Sequence, residues 1–188
     1  MGNKVKRGLL EFSIPSLSEE LDYVNNELLK KYSLYKKNGY TPKIPKKNLK
    51  EDFRNNKNIY LNSLKEIKKF KKRWKRVYDI LIIIKKKYNF KIFENYEVRL
   101  TLYGPGGDYF PSYGAFDGKL RNQPGRTRKL NKAIILVRAD LKKFFERIII
   151  HEIIHLGIEE NIVRKNKLRH SEKESLVNKI YKRYFGKS

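Results

Sequence analysis

Apolar positions recur at three- and four-residue steps in four stretches of the chain, and at two-residue steps in one. Leu17, Leu21, Val24, Leu28 and Leu29 form the first helical stripe, and Ser16 followed by Glu19 has capping-box spacing, so a helix is predicted over about 17–31. Residues 38–48 hold Gly39, Pro42 and Pro45 and read as a loop. Ile59, Leu61, Leu64, Ile67, Phe70, Trp74, Val77, Leu81 and Ile84 then trace one side of a long helix at about 58–87.

The pattern changes at Asn89. Val98, Leu100 and Leu102 alternate with Arg99 and Thr101, the signature of a half-buried strand, and Gly104–Gly107 breaks it. Residues 108–132 read as a hairpin or excursion with a short strand near 115–120, and Ala133–Val137 as a continuous apolar strand. Asp140 is placed to cap a helix from Leu141 to about Leu156, which Gly157 would end or bend. Ser171 is placed to cap a last helix carrying Leu176, Val177, Ile180, Tyr184 and Phe185. Helices, then a small sheet, then two helices indicate an α+β fold. The expected organisation is a basic helical portion, 1–90, packed as one unit with a second portion, 91–188.

Composition narrows the function classes. The 188 residues include 45 Lys and Arg against 20 Asp and Glu, a net charge of +25, and no cysteine. A Cys-ligated zinc site, an iron–sulfur cluster and thiol catalysis are thereby excluded. The charge favours anionic partners, and it is unevenly placed: residues 30–91 carry 22 cations and 4 acids, a net of +18. Within them, residues 65–76 hold eight Lys and Arg around Phe70 and Trp74, which reads either as a nucleic-acid surface or as the solvated face of a helix with its aromatics in the core. No apolar run is long enough to span a membrane, and the N-terminus lacks a signal-peptide core, so a soluble cytoplasmic protein is expected.

The chemistry-bearing residues are concentrated elsewhere. All three histidines, His151, His155 and His170, fall within twenty residues, and His151-Glu152-Ile153-Ile154-His155 is an HExxH motif. On a helix the two imidazoles lie one turn apart on one face and can share a metal ion, with Glu152 placed to handle protons of an attacking water. These are polar groups set in the otherwise apolar centre of the helix, where an unpaired polar atom costs about 1–3 kcal/mol. A catalytic zinc ion needs a third protein ligand. Glu159 continues the same row, but three ligands in line cannot surround an ion. His170, just before the last helix, is the favoured third ligand and Glu174, in its first turns, the alternative; neighbouring Glu172 is less well placed.

The HExxH motif, with the succession of strand, Gly-rich excursion, strand, motif helix and closing helix over about 98–185, resembles the zincin metallopeptidases. The metzincin extension is absent, since Ile158 and Asn161 stand where it would require Gly and His. A third-ligand Glu would be similar to the gluzincins and minigluzincins, and a His before the closing helix to SprT-like peptidases. The resemblance implies one Zn2+ bound by His151 and His155, Glu152 as general base and acid, and peptide or unfolded protein as substrate. It further implies that Ala133, Ile134, Ile135, Leu136 and Val137 form the sheet edge on which an extended substrate lies. An oxyanion-stabilising group is expected too, with Tyr109, Tyr113, Tyr181 and Arg169 as candidates. The expected function is therefore a zinc endopeptidase; the alternative is a basic nucleic-acid-binding protein with a structural metal or histidine site. A third reading makes residues 1–57 a prosegment over the cleft. Gly104–Gly107 with Asp108, Tyr109 and Phe110 reads as a turn, or as a flap over that cleft, and Arg126–Lys129 as part of a basic rim.

Overall fold

Three parallel strands and one antiparallel strand make the sheet of this α+β protein. The computed structural model describes residues 8–45, 48–111 and 132–186. Strands β1 (Leu9–Ser13), β2 (Asn95–Thr101) and β4 (Lys132–Arg138) run parallel, β3 (Gly107–Pro111) pairs antiparallel with β4, and the order is β1-β2-β4-β3. Ala133–Val137 therefore does not form the sheet edge. Its apolar run is unbroken because β4 is flanked by strands on both sides, and Ala133 to Val137 are all buried. Among the described residues the edge beside β4 is β3, whose residues Gly107 to Phe110 stay partly exposed. The predicted strand near 115–120 and the basic cluster Arg126–Lys129 lie outside the described residues.

Across the sheet, Phe12 is in register with Val98, Val98 with Ile135, and Ile135 with Tyr109. Side chains alternate between faces, so this row shares a face with Leu10, Tyr96, Leu100 and Val137. Two helices cover it: α4 (Asn58–Tyr88) and α5 (Phe145–Ile158). Phe12 stacks on Phe145 at 6.1 Å and meets Phe70 edge-on at 6.4 Å, while Trp74 meets Tyr96 edge-on at 5.5 Å. Trp74 also donates its indole N–H to the Gly8 carbonyl at 2.9 Å. Phe70 and Trp74 are thus core residues, and the aromatics of the basic segment are not offered to solvent.

The N-terminal half is built into the same core. α1 (Leu17–Asp22), a π-helical stretch (Tyr23–Leu28) and α2 (Leu29–Lys37) form one continuous helical run, longer than the 17–31 predicted, and α3 (Leu49–Asn56) follows the loop, capped by Asn48. Glu20 is buried on α1. Its carboxylate accepts from the hydroxyls of Tyr60 and Thr101 and from the Leu102 N–H, pinning α1 to α4 and to the end of β2. Because β1 is a strand of the sheet and Tyr23, Leu28, Tyr35 and Phe53 join the common hydrophobic cluster, residues 8–57 are not a separable cover as a prosegment would be.

Helix ends differ from prediction where side chains found stronger partners. Asp140 does not cap α5: its carboxylate accepts from Arg138 at 2.8 Å and faces Lys43 at 3.5 Å, and the chain enters α5 through a 3-10 turn at Lys142–Phe144. Gly157 is the penultimate residue of α5, which ends at Ile158 as expected near this glycine. An added Cβ there would come to 2.0 Å from the Phe90 ring, so its missing side chain admits that ring. A π-helical stretch (Glu159–Arg164) follows, and α6 (His170–Tyr184) begins one residue before Ser171, closed at its start by Arg169 and Glu172.

On the sheet face away from α4 and α5, Glu97 accepts from Arg99 at 2.6 Å and from Lys132 at 2.6 Å. Burial alone would push its carboxyl up, but these two cations outweigh burial and hold it at about 2, against an ordinary value of 4.5. The folded state therefore binds this proton less readily than the unfolded chain. The resulting stabilisation, up to about 3 kcal/mol, is complete above about pH 5 and is lost as pH falls toward 2. Denaturation of Glu97→Gln across that window will show a flatter pH dependence than wild type; an unchanged slope would count against the Glu97 contribution.

Candidate metal centre

Ile149, Ile150, Ile153, Ile154 and Leu156 bury most of α5 in the core, which leaves its motif side chains on the side turned toward β3 and α6. His151 and His155, one turn apart, have ring centroids 4.7 Å apart. α6 crosses so that Glu174 faces both: its Oε1 is 3.2 Å from His155 Nε2 and its Oε2 3.8 Å from His151 Nε2. One donor atom from each of His151, His155 and Glu174 falls in a group less than 4.8 Å across. His170 stands one turn earlier on α6, its Nε2 4.0 Å from Glu174, and is not in that group. The structure thus brings Glu174, not His170, to the histidine pair. The reason is where α6 crosses α5, which is a matter of packing and not of local spacing.

The donor set suits a zinc ion. Two imidazoles and a carboxylate are ligands zinc accepts, and donors about 2.0–2.1 Å from a tetrahedral ion stand roughly 3.4 Å from one another, close to the 3.2 and 3.8 Å observed. Burial pushes the Glu174 carboxyl up, but the His155 hydrogen bond and the charges of His155, His151 and His170 prevail and hold it at about 2. His155 Nδ1 is buried with no hydrogen-bond partner among the described residues, so that imidazole is engaged through its Nε2 side.

Glu152 is buried beside the group, with Oε1 3.5 Å from His151 Nδ1. β3 comes this close because residue 107 is glycine: a Cβ there would approach Glu152 Oε1 to 2.5 Å and Ile148 to 2.7 Å. Gly104 and Gly106 take positive φ, 100° and 127°, and turn the chain from β2 into β3. The Gly-rich break is therefore the turn into an edge strand that rests against the motif helix, and residues 107–110 are strand, not flap. A cleft of about 600 Å3 opens over this group, with Gly107, Asp108, Tyr109, Glu152 and Glu174 in its walls.

The oxyanion candidates fare unequally. Tyr109 stacks on His155 at 5.4 Å, but its hydroxyl donates to Glu159 at 2.8 Å. Tyr181 does not line the cleft. It is two turns beyond Glu174, about 10 Å along α6, and its ring packs under the Arg147 guanidinium. Arg169 does not line it either; it closes the start of α6 on Glu172 and faces solvent. Tyr113 lies outside the described residues. None of the β4 residues expected to bind substrate lines the cleft.

Two tyrosines that no motif marked do line it. Tyr35 donates its hydroxyl to Asp108, and Tyr40 meets the His170 ring edge-on at 5.9 Å. Both come from the N-terminal half of the chain, outside residues 98–185. The one local clue was Gly39 after a helical stripe, a helix-ending turn that aims the next residue.

Comparison with family models, with curated proteins and with solved structures returns no match to this chain. No helix among the described residues is long and apolar enough to cross a membrane.

Proposed function

We propose that the chain is a zinc-dependent metallopeptidase of zincin type, with the two-His, one-Glu ligand set of the gluzincin-like members. The observation that carries this reading is the meeting of His151 and His155 with Glu174 from a second helix, beside a buried Glu152 and under an open cleft. His151, His155 and Glu174 would hold the ion. Bound there, zinc would supply Lewis acidity toward a scissile carbonyl and lower the pKa of water. Glu152 takes the proton from the attacking water and returns it to the leaving amine. β3, the last strand in the described sheet, takes the place expected of Ala133–Val137 and offers backbone groups to an extended peptide. The purified protein is expected to hold one zinc per chain and to cleave an unfolded protein, with chelation stopping cleavage and Zn2+ restoring it. Cleavage that persists after complete metal removal would refute the reading.

A second reading concerns the face of α4 turned to solvent. Lys65, Lys68, Lys71, Lys72, Lys75 and Arg76 are exposed and have no acidic partner within 4.0 Å among the described residues, whereas Lys69 pairs with Glu66 and Arg73 with Glu146. With Phe70 and Trp74 buried, this stripe has charge but no stacking platform, which favours phosphate contacts without base readout. Duplex DNA should bind irrespective of sequence, and log affinity should fall steeply with log salt. Replacing Lys65, Lys68, Lys72 and Lys75 by Gln should lower that slope by about 3–4. An unaltered slope would remove this stripe from consideration.

A further inference from the structure

A metal-binding imidazole is usually held in orientation by the ring nitrogen that does not face the ion, which donates to a carboxylate, a backbone carbonyl or water. His151 Nδ1 has the Glu152 carboxylate 3.5 Å away. His155 Nδ1, by contrast, is buried with no hydrogen-bond partner among the described residues. The torsion that turns an imidazole about Cβ–Cγ has broad minima, so the helix backbone and χ1 leave the ring plane loose. Keeping Nε2 on Glu174, 3.2 Å away, therefore calls for another restraint.

Tyr109 supplies it by lying flat against the ring. The two ring centroids are 5.4 Å apart and the planes are within 12° of parallel, so turning the imidazole swings its edge toward the phenol. Tyr109 is itself held from three elements. Its backbone is fixed in β3, in register with Ile135. Its hydroxyl donates to Glu159 at 2.8 Å and accepts from the Lys173 ammonium at 3.3 Å. Glu159 stands four residues after His155, on the same side, where α5 passes into the π-helical stretch, and its other oxygen faces Arg164 at 3.6 Å. Lys173 adjoins Glu174 on α6. The acid that continues the motif row, and cannot join the ligands, thus grips the far end of the ring that covers His155.

We infer that Tyr109, latched by Glu159 and Lys173, is a positioning residue for His155, so that the metal affinity of the site depends on the seating of β3. The inference rests on the proposed metal site. In this role Tyr109 touches neither ion nor substrate; it acts through the imidazole.

Competition of Zn2+ between the full chain and a chromophoric chelator tests this. Tyr109→Leu removes the flat ring and is expected to raise the Zn2+ dissociation constant about 10- to 100-fold, the usual effect of losing an outer partner. The visible absorption of its Co2+-loaded form should shift. Tyr109→Phe, which keeps the ring, should recover most of the affinity. Phe110→Leu alters the next residue of β3, whose side chain points to the other face of the sheet and packs under Lys31, and should leave affinity unchanged. Glu159→Ala frees the hydroxyl without altering either ring and should fall between wild type and Tyr109→Leu. Should the leucine variant fail to fold, Glu159→Ala decides alone, and unchanged affinity there overturns the proposal. Wild-type affinity in Tyr109→Leu overturns it too, as does an equal loss in Phe110→Leu, which would mark a general loosening of the strand. If wild type itself binds no Zn2+, the metal site falls, and the inference with it.

Discussion

On the proposed peptidase reading, Glu152→Gln is expected to lower peptide hydrolysis by about 10^3-fold or more and to leave the zinc content at one per chain. The amide keeps the size of the carboxylate that Gly107 makes room for, so β3 and α5 remain packed. What it cannot do is accept a proton, and general-base assistance of this kind contributes about 10^2–10^4 to a rate. Glu152 is not in the His151–His155–Glu174 group, so metal retention is expected. Initial rates on an unfolded protein, measured beside metal analysis of the same preparation, decide the matter. A variant that keeps its zinc and full activity would remove Glu152 from the reaction; one that loses both would make it structural.

Glu174→Ala, by contrast, is expected to abolish high-affinity zinc binding at the proposed site, with a loss well beyond the 10- to 100-fold expected for an outer partner. His170→Ala changes affinity by less than about tenfold. Both residues lie in the first two turns of α6, both are partly exposed, and they are 4.0 Å apart at the nearest polar atoms. Only the carboxylate faces both histidines. Chelator competition on the two variants therefore separates two ligand sets that one helix could have supplied. The reverse order of losses would restore His170 as the third ligand and undo the gluzincin-like assignment.

These two residues also show how far local pattern carries. The HExxH spacing puts His151 and His155 on one face of any helix, whatever surrounds it, and they meet at 4.7 Å as that spacing requires. Between His170 and Glu174, which are themselves one turn apart, spacing offers no choice, because either can point at a partner across an interface. The same limit explains β1 and α3. Leu9–Ser13 is five residues long with an exposed leucine and glutamate, too short for alternation to announce it, and it becomes a strand by pairing with β2. α3 spans eight residues with a single buried side chain, Phe53. The edge strand was misplaced for a different reason: the unbroken apolar run of Ala133–Val137 is what a strand needs when neighbours cover both sides, whereas Gly107–Pro111 reads as loop until β4 supplies its hydrogen bonds.

By itself, then, the sequence determined the α+β class, the long basic helix over about 58–87, and the pairing of His151 with His155 beside Glu152. Each follows from periodicity within one element, where the backbone alone decides which side chains share a face. Tertiary structure decided that β4 is interior and β3 is the edge of the described sheet, that Glu174 and not His170 meets the histidines, and that Tyr40 lines the cleft from the N-terminal segment. Those outcomes depend on where separate elements come to rest against one another, and buried apolar area that is shared by many side chains sets that placement.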